Sequence, residues 1–148
     1  MTTKEIVTLL PFSSPFLFVD ELHEINDDGV QGSYTFKETE FFYKGHFKNT
    51  PVTPGVILTE TMTQIGLVCL GIYLLREELT KNTSPAIALT ATNVEFLAPV
   101  FPGERVTVIS QKEYFRFGKL KCKVEMRNSE DKIVCSGMIS GMIKNNNE

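Results

Sequence analysis

The longest apolar stretch of the chain, residues 65–75, lies inside a segment predicted to be helical from Thr53 to about Glu78. Apolar residues cover most of its circumference, so we expect a helix surrounded by the rest of the fold. The stretch is shorter than the about 20 residues that a membrane span needs. Gly66 and Gly71 each cost about 1 kcal/mol relative to alanine, which indicates close approach of a neighbouring backbone.

Alternation of apolar and polar residues, interrupted by turn residues, predicts strands before and after this helix in the sequence. Two strands precede the central helix and are joined by the Asn26-Asp27-Asp28-Gly29 turn. A short helix at residues 3–10 comes before them. In residues 119–128, apolar and charged side chains alternate, which predicts a sheet with one buried and one solvated face. The predicted strands are residues 16–22, 30–36, 86–94, 104–116, 119–128 and 132–143.

This order of elements predicts one α+β domain over residues 1–148, in which an antiparallel sheet curls around the central helix. A length of 148 residues with 42% hydrophobic and 22% charged residues suits one core and not two. We expect residues 144–148 to be a disordered tail and residues 81–85 to be a loop.

The three cysteines, Cys69, Cys122 and Cys135, are widely spaced and include no C-x-x-C pair. Their odd number argues against a disulfide framework, and their spacing argues against zinc, so we expect buried reduced thiols. The N-terminus is polar and lacks an apolar secretion segment. These features predict a cytoplasmic protein.

Charge is unevenly distributed along the chain. The net charge of −3 argues against a general nucleic-acid binder. Residues 20–40 hold seven acids and one base, whereas residues 105–127 hold seven bases and two acids. The basic run is either a solvated sheet face or a docking surface for an acidic partner.

The chemistry-bearing segment is residues 45–60, at the start of the central helix. Thr53 is predicted as its N-cap and Pro54 as its first residue. His46 lies in the preceding loop, where a histidine can act as a general base.

Glu60 lies in the second turn of the same helix, in mostly apolar company. Burial there would raise its pKa and favour the protonated acid. Gln64, four residues later on the same face, is within reach to orient it. Gly55 in the first turn leaves backbone N–H groups free for an oxyanion and room for a thioester carbonyl.

Several motifs resemble the FabZ type of β-hydroxyacyl-acyl-carrier-protein dehydratase. That family reads G-H-F-P-x-x-P-x-x-P-G-V-L-x-x-E-A-x-A-Q, and this chain matches it at Gly45-His46-Phe47, Pro51, Pro54-Gly55-Val56, Glu60 and Gln64. The opening Leu9-Leu10-Pro11 and Pro15-Phe16-Leu17-Phe18-Val19-Asp20 also resemble family motifs, as does the later Phe96-Leu97-Ala98-Pro99-Val100-Phe101-Pro102-Gly103-Glu104. The likeness spans residues 9–142.

The resemblance implies a hot-dog fold and dehydration of a (3R)-3-hydroxyacyl-[acyl-carrier-protein] to the trans-2-enoyl product in fatty-acid or related polyene or polyketide synthesis. His46 would be the base, Glu60 the acid and the Gly55 N–H the oxyanion donor. Each site would lie at a homodimer interface, with histidine from one subunit and glutamate from the other, and such dimers commonly form a trimer of dimers. The partner is acyl carrier protein, whose phosphopantetheine arm brings the substrate, and no cofactor, metal, nucleic acid or membrane is expected.

The chain departs from the family pattern at Phe12-Ser13-Ser14, at Lys48 and at Leu97-Ala98, where the family has H-R-Y, proline and a basic pair. A dehydratase from a specialised pathway therefore stays open, as do an acyl-thioester hydrolase and a non-catalytic hot-dog subunit. The acidic carrier is expected to dock on basic residues by electrostatic attraction. The candidates are Arg105, Lys112, Arg116, Lys119 and Lys121.

Overall fold

Six antiparallel strands form one sheet in the order β1-β2-β4-β5-β6-β3. The computed structural model describes residues 1–79 and 85–145. A short helix α1 (Thr3–Thr8) precedes the sheet, which places β1 and β3 at its two edges. The strands are β1 (Glu21–Asn26), β2 (Gly29–Thr35), β3 (Pro85–Phe96), β4 (Arg105–Arg116), β5 (Lys119–Arg127) and β6 (Ile133–Asn145).

The central helix α2 (Gly55–Leu74) lies against the inner face of this sheet. It has 20 residues and a mean hydropathy of 1.5, so it is long and apolar enough to cross a membrane, contrary to the length argument from the sequence. However, 78% of its most apolar 18-residue stretch is buried within the fold. Burial, and not length, identifies it as a core helix. The predicted α+β fold around a central helix is confirmed.

Gly66 and Gly71 mark the places where the sheet comes closest to α2. The Ser110 hydroxyl of β4 donates a hydrogen bond to the Gly66 carbonyl at 2.8 Å. A Cβ at Gly66 would lie 3.0 Å from a Val124 methyl carbon, and one at Gly71 would lie 2.3 Å from Cδ1 of Ile143. Close approach is confirmed, but the neighbours are side chains of the sheet and not its backbone.

Gly71→Ala is expected to lower the free energy of unfolding by about 1–3 kcal/mol, because the new methyl overpacks a filled core. This loss should exceed the gain of about 1 kcal/mol in helix propensity. Ile143→Val removes the atom at 2.3 Å, so the double variant should be more stable than Gly71→Ala alone. Urea unfolding of the four proteins measures this. A Gly71→Ala protein at least as stable as wild type would contradict it.

Several predicted boundaries were wrong for identifiable reasons. Residues 16–20 are not strand, because the Phe18 N–H donates to the side chain of Gln64 on α2 instead of to a neighbouring strand. Pro54, and not Thr53, is the N-cap of α2, which begins at Gly55. The Thr53 hydroxyl instead forms a 2.6 Å hydrogen bond with the Tyr43 hydroxyl.

The ends of the last strands also differ from expectation. Pro85 is the first residue of β3, and β6 includes residues 144 and 145, which the sequence assigned to a loop and to a disordered tail. The other positions of those two predictions, residues 81–84 and 146–148, lie outside the described residues. The hairpin at Asn26–Gly29 is confirmed, with Asn26 paired to Gly29.

The alternation predicted along β5 is confirmed, since Leu120, Cys122, Val124 and Met126 are buried. All three cysteines are buried free thiols. Burial raises the pKa of Cys122 to about 11 and that of Cys135 to about 12, and it raises the pKa of Cys69 as well. Thiols with such high pKa values react slowly with oxidants and metals.

Candidate active site

His46 lies in a loop that folds back on itself before α2. The Val52 N–H donates to the His46 carbonyl at 2.8 Å, and Nδ1 of the His46 ring lies 2.9 Å from the Val52 carbonyl oxygen. The Phe47 ring stacks on the imidazole at a centroid distance of 4.1 Å. The imidazole is therefore held by a backbone acceptor on one edge and by an aromatic ring on one face.

The hydrogen bond to Val52 determines the tautomer of a neutral His46. A carbonyl oxygen can only accept, so Nδ1 must carry the hydrogen. In the neutral ring, Nε2 then carries no hydrogen, and its lone pair can accept a proton as a general base does. The half-buried ring remains accessible to a substrate.

The N-terminus of α2 supplies backbone donors. The first helical hydrogen bonds run from the N–H groups of Ile57 and Leu58 to the Pro54 carbonyl. The N–H groups of Gly55 and Val56 precede this ladder, so they have no acceptor within the helix. Together with the helix dipole, they favour a developing negative charge beside Gly55.

The space freed by the missing side chain of Gly55 is partly filled by Phe96, the last residue of β3. A Cβ at Gly55 would lie 3.2 Å from two carbons of the Phe96 ring. The expectation that Gly55 simply leaves room for a thioester carbonyl therefore needs correction. The half-exposed ring forms one wall of an open cleft whose lining includes Gly55, Leu58, Phe96 and Leu97.

Glu60 and Gln64, one helical turn apart on α2, are joined by a hydrogen bond. Nε2 of Gln64 donates to Glu60 Oε2 at 2.9 Å and to the Phe16 carbonyl at 3.1 Å, while its Oε1 accepts the Phe18 N–H at 2.8 Å. Gln64 itself is fully buried. The predicted contact between Gln64 and Glu60 is confirmed, and the glutamine also ties α2 to the segment before β1.

Burial raises the pKa of Glu60 above its usual range, and the hydrogen bond from Gln64 offsets part of that rise. A carboxyl with a raised pKa keeps its proton to higher pH and can serve as a general acid. Within residues 1–79 and 85–145, the hydrogen bonds of His46 and Glu60 lead to Val52 and Gln64 and not to each other. One chain thus presents a candidate base and a candidate acid as two groups with separate hydrogen-bond partners.

Comparison with known proteins places this chain in a family. A model of the FabA-like domain matches residues 10–137. The chain belongs to the FabA-like family. It is 35% identical over 143 residues to a 3-hydroxyacyl-[acyl-carrier-protein] dehydratase FabZ of Clostridium perfringens, covering 94% of this chain and 96% of that protein. A FabZ of Sinorhizobium medicae is 32% identical and is covered over 88% of its length, with 95% of this chain covered.

Solved structures place this FabA-like chain in the hot-dog fold. The dehydratase heterocomplex ApeI:P of Xenorhabdus doucetiae has a TM-score of 0.80 at 13% identity, covering 100% of this chain and 95% of that one. A thioesterase of Haemophilus influenzae has a TM-score of 0.70 at 17% identity, covering 100% and 94%. At these identities the likeness concerns the fold alone. The predicted hot-dog fold is confirmed.

Two features of the candidate site were not predicted from the sequence. The Val52 carbonyl, which selects the His46 tautomer, is a backbone group, and no residue type announces it. Phe96 stands in a recognised motif, but its contact with Gly55 joins residues 41 positions apart. A motif shows that a phenylalanine is present, whereas only the folded chain shows which atoms it covers.

Gln64→Met is expected to raise the pKa of Glu60 further, because it removes the hydrogen bond from Gln64 that stabilises the carboxylate. The limb of the kcat/KM profile that reports Glu60 should move to higher pH. A pH–rate profile with a small thioester substrate measures this. Loss of the bonds to Phe16 and Phe18 should also lower Tm, but a purely structural defect would leave the profile in place.

Proposed function

We propose that this chain is a 3-hydroxyacyl-[acyl-carrier-protein] dehydratase, a lyase that removes water from a (3R)-3-hydroxyacyl thioester and leaves the trans-2-enoyl thioester. One observation carries the proposal: a histidine whose neutral ring has a free Nε2 lone pair precedes a helix N-terminus, and a half-buried carboxyl with a raised pKa lies in the second turn of that helix. The FabZ relatives, similar over nearly the whole chain, support it.

The residues divide the reaction between them. Nε2 of neutral His46 takes the C2 proton, and the negative charge that passes to the thioester oxygen is stabilised by the Gly55 N–H and the helix dipole. The C3–oxygen bond then breaks as Glu60 donates its proton, so that water leaves and the C2–C3 double bond forms. A proton returned from His46 to Glu60 through solvent restores both groups. Gln64 acts as the positioning residue of Glu60.

We further propose a homodimer, alone or as the unit of a trimer of dimers, with each site shared between two subunits. The edge strand β3 supports this proposal. It is 12 residues long and exposed along most of its length, and Leu89 and Phe96 are exposed apolar side chains. A long uncovered edge of this kind is a template for pairing with another strand. Leu97 and Val56, also exposed, extend the apolar surface toward Gly55.

The proposed partner is an acyl carrier protein, whose phosphopantetheine arm carries the substrate in the cytoplasm, for fatty-acid or related polyketide synthesis. The structure divides the five basic docking candidates. Arg105 pairs with Thr35 at one end of β4, and Arg116 pairs with Lys119 at the other end. At about 3.3 Å per residue these ends are about 36 Å apart, so Arg105 does not belong to one patch with Arg116 and Lys119.

Incubation of the purified protein with 3-hydroxybutyryl-pantetheine tests the proposed function. A dehydratase lowers the substrate mass by one water, a hydrolase releases the free thiol, and a non-catalytic subunit leaves the mixture unchanged. We expect loss of water only. Release of thiol or an unchanged substrate, from a protein shown to be folded and dimeric, would contradict the proposal.

A further inference from the structure

The β4–β5 hairpin ends in an exposed aromatic residue for which the fold gives no reason. Phe117 is 96% exposed. Phe117, with a φ of +52°, is the first residue of a two-residue turn. Gly118, with a φ of +77°, is the second. Positive φ is unfavourable for a bulky L residue, and turns of this kind favour Asn-Gly.

Packing within the chain cannot compensate for this backbone cost, because the ring is almost fully in solvent. Asparagine at the same position would relieve the strain and remove an apolar group from water. A strained residue that gains nothing from the fold indicates a use outside it. A protruding aromatic ring of this kind is typical of an interface anchor.

Phe117 and Gly118 form the tip of the hairpin. A basic ladder runs along the outer face of the sheet directly behind this tip, and it consists of Arg116, Lys119, Lys121 and Lys123. Lys119, Lys121 and Lys123 alternate with buried residues of β5, and Arg116 pairs with Lys119 across the hairpin. Successive lysines are about 7 Å apart along the strand. The Arg116 guanidinium lies over the Tyr114 ring at 4.4 Å, which holds it beside the tip.

We propose that Phe117 is the apolar anchor of a docking surface, the tip and its basic ladder, for the acidic carrier protein that brings the substrate. This inference rests on the proposed function. The carrier's acidic face would lie along the ladder while Phe117 enters an apolar depression on it. A flat lipid surface touching the tip would meet Arg116 and Lys119 but not the lysines farther down the strand, so the ladder suits a protein-sized partner.

The proposed dimer explains how a carrier bound at this tip reaches an active site, although the two lie at opposite ends of α2 within one chain. The Ile143 N–H donates to the Gly118 carbonyl, and Ile143 packs on Gly71, so the tip lies at the C-terminal end of α2. Gly55 lies at the other end of the helix, about 30 Å away, against Phe96 at the end of β3. Antiparallel pairing of two β3 edges across a two-fold axis would place one subunit's tip at the same end as its neighbour's Gly55. The carrier would then dock on one subunit and deliver to a site built on the helix of the other.

Phe117→Asn, Phe117→Leu and Lys119→Glu test the anchor, with Lys132→Glu as the charge control. Lys132 is an exposed lysine in the β5–β6 connection, at the far end of β5. The measurements are the Kd for a holo acyl carrier protein by titration, and KM for its 3-hydroxybutyryl form and for 3-hydroxybutyryl-pantetheine. Tm is recorded for each variant, and Asn should maintain or raise it because it tolerates positive φ.

We expect Phe117→Asn to raise the carrier Kd and KM about ten- to thirtyfold, as loss of an aromatic hot spot does, with kinetics on the pantetheine thioester unchanged. Phe117→Leu should retain most of the affinity. The loss from Lys119→Glu should shrink in high salt, because exposed charges are screened, while the loss from Phe117→Asn should persist. Lys132→Glu should change little.

Unchanged carrier Kd in Phe117→Asn, or equal effects on both substrates, would overturn the anchor. So would loss of binding to anionic phospholipid vesicles with carrier binding intact, because the tip would then serve a membrane. If the wild-type protein fails to dehydrate the pantetheine thioester, the proposed function fails, and the carrier titration still decides the role of Phe117 by itself.

Discussion

His46→Ala and Glu60→Gln are each expected to lower kcat for dehydration by about 10²- to 10⁴-fold, the usual contribution of a general acid or base. His46→Ala removes the Nε2 lone pair that the hydrogen bond to Val52 leaves free. Glu60→Gln keeps the shape and the contact with Gln64 but has no proton of suitable acidity to give. Rates with the pantetheine thioester measure both effects without carrier docking.

The stability of Glu60→Gln separates a chemical from a structural defect. Burial raises the pKa of Glu60 in the folded state, so the ionised carboxylate destabilises the fold, and stability is lost as pH rises through that pKa. The neutral amide removes this penalty. Glu60→Gln should therefore be at least as stable as wild type at pH 8, with the difference shrinking toward acid pH. An unfolding free energy well below wild type at pH 8 would contradict the assignment of the raised pKa.

Matched controls come from the opposite edge of the sheet. His23→Ala and Glu24→Gln change the same residue types on β1, whereas β3 and the cleft lie at the other edge. Both controls should keep near wild-type kcat. Near wild-type turnover in folded His46→Ala or Glu60→Gln would remove the acid–base assignment.

A refolded mixture of His46→Ala and Glu60→Ala subunits is expected to recover about a quarter of wild-type activity. Random pairing makes half of the dimers mixed, and a shared-site mixed dimer contains one doubly damaged site and one intact site. The reason to expect sharing is structural. Gly55 to Glu60 alone covers about 7.5 Å of helix, the His46 loop is tied back to Val52, and each group binds its own local partner.

The experiment requires unfolding the two variants together and refolding them as a mixture, because preformed dimers exchange at their own rate. Each variant refolded alone is the control for spontaneous recovery. Activity that stays at the level of the separate variants, in a mixture shown to contain mixed dimers, would mean that each site is built within one chain. That result would remove the shared site but not the dehydratase function.

Much of this molecule was predictable because its signals are local. The alternation along β5, the Asn26–Gly29 turn and the apolar central helix each follow from neighbouring residues, and all are confirmed. The site motif places a histidine before a helix and a carboxylate in its second turn by spacing alone. The contact between Gln64 and Glu60 was likewise foreseeable, because residues four apart share a helix face.

Other features depend on groups that meet only when the chain folds. In the segment before β1, the Phe18 N–H and the Phe16 carbonyl bond to the side chain of Gln64, 46 and 48 residues away, so a strand-like sequence does not form a strand there. Phe96 closes on Gly55 from a separate strand, which changed the interpretation of that glycine. The 12-residue length of β4 placed Arg105 and Arg116, which belong to one base-rich region of the sequence, at opposite ends of the strand. By itself the sequence determined which residue types are present and which of them lie near one another along the chain. The tertiary structure decided which hydrogen bonds and packing contacts these residues form and which charges lie close together. Those features depend on distances in space, which the order of residues along the chain does not set.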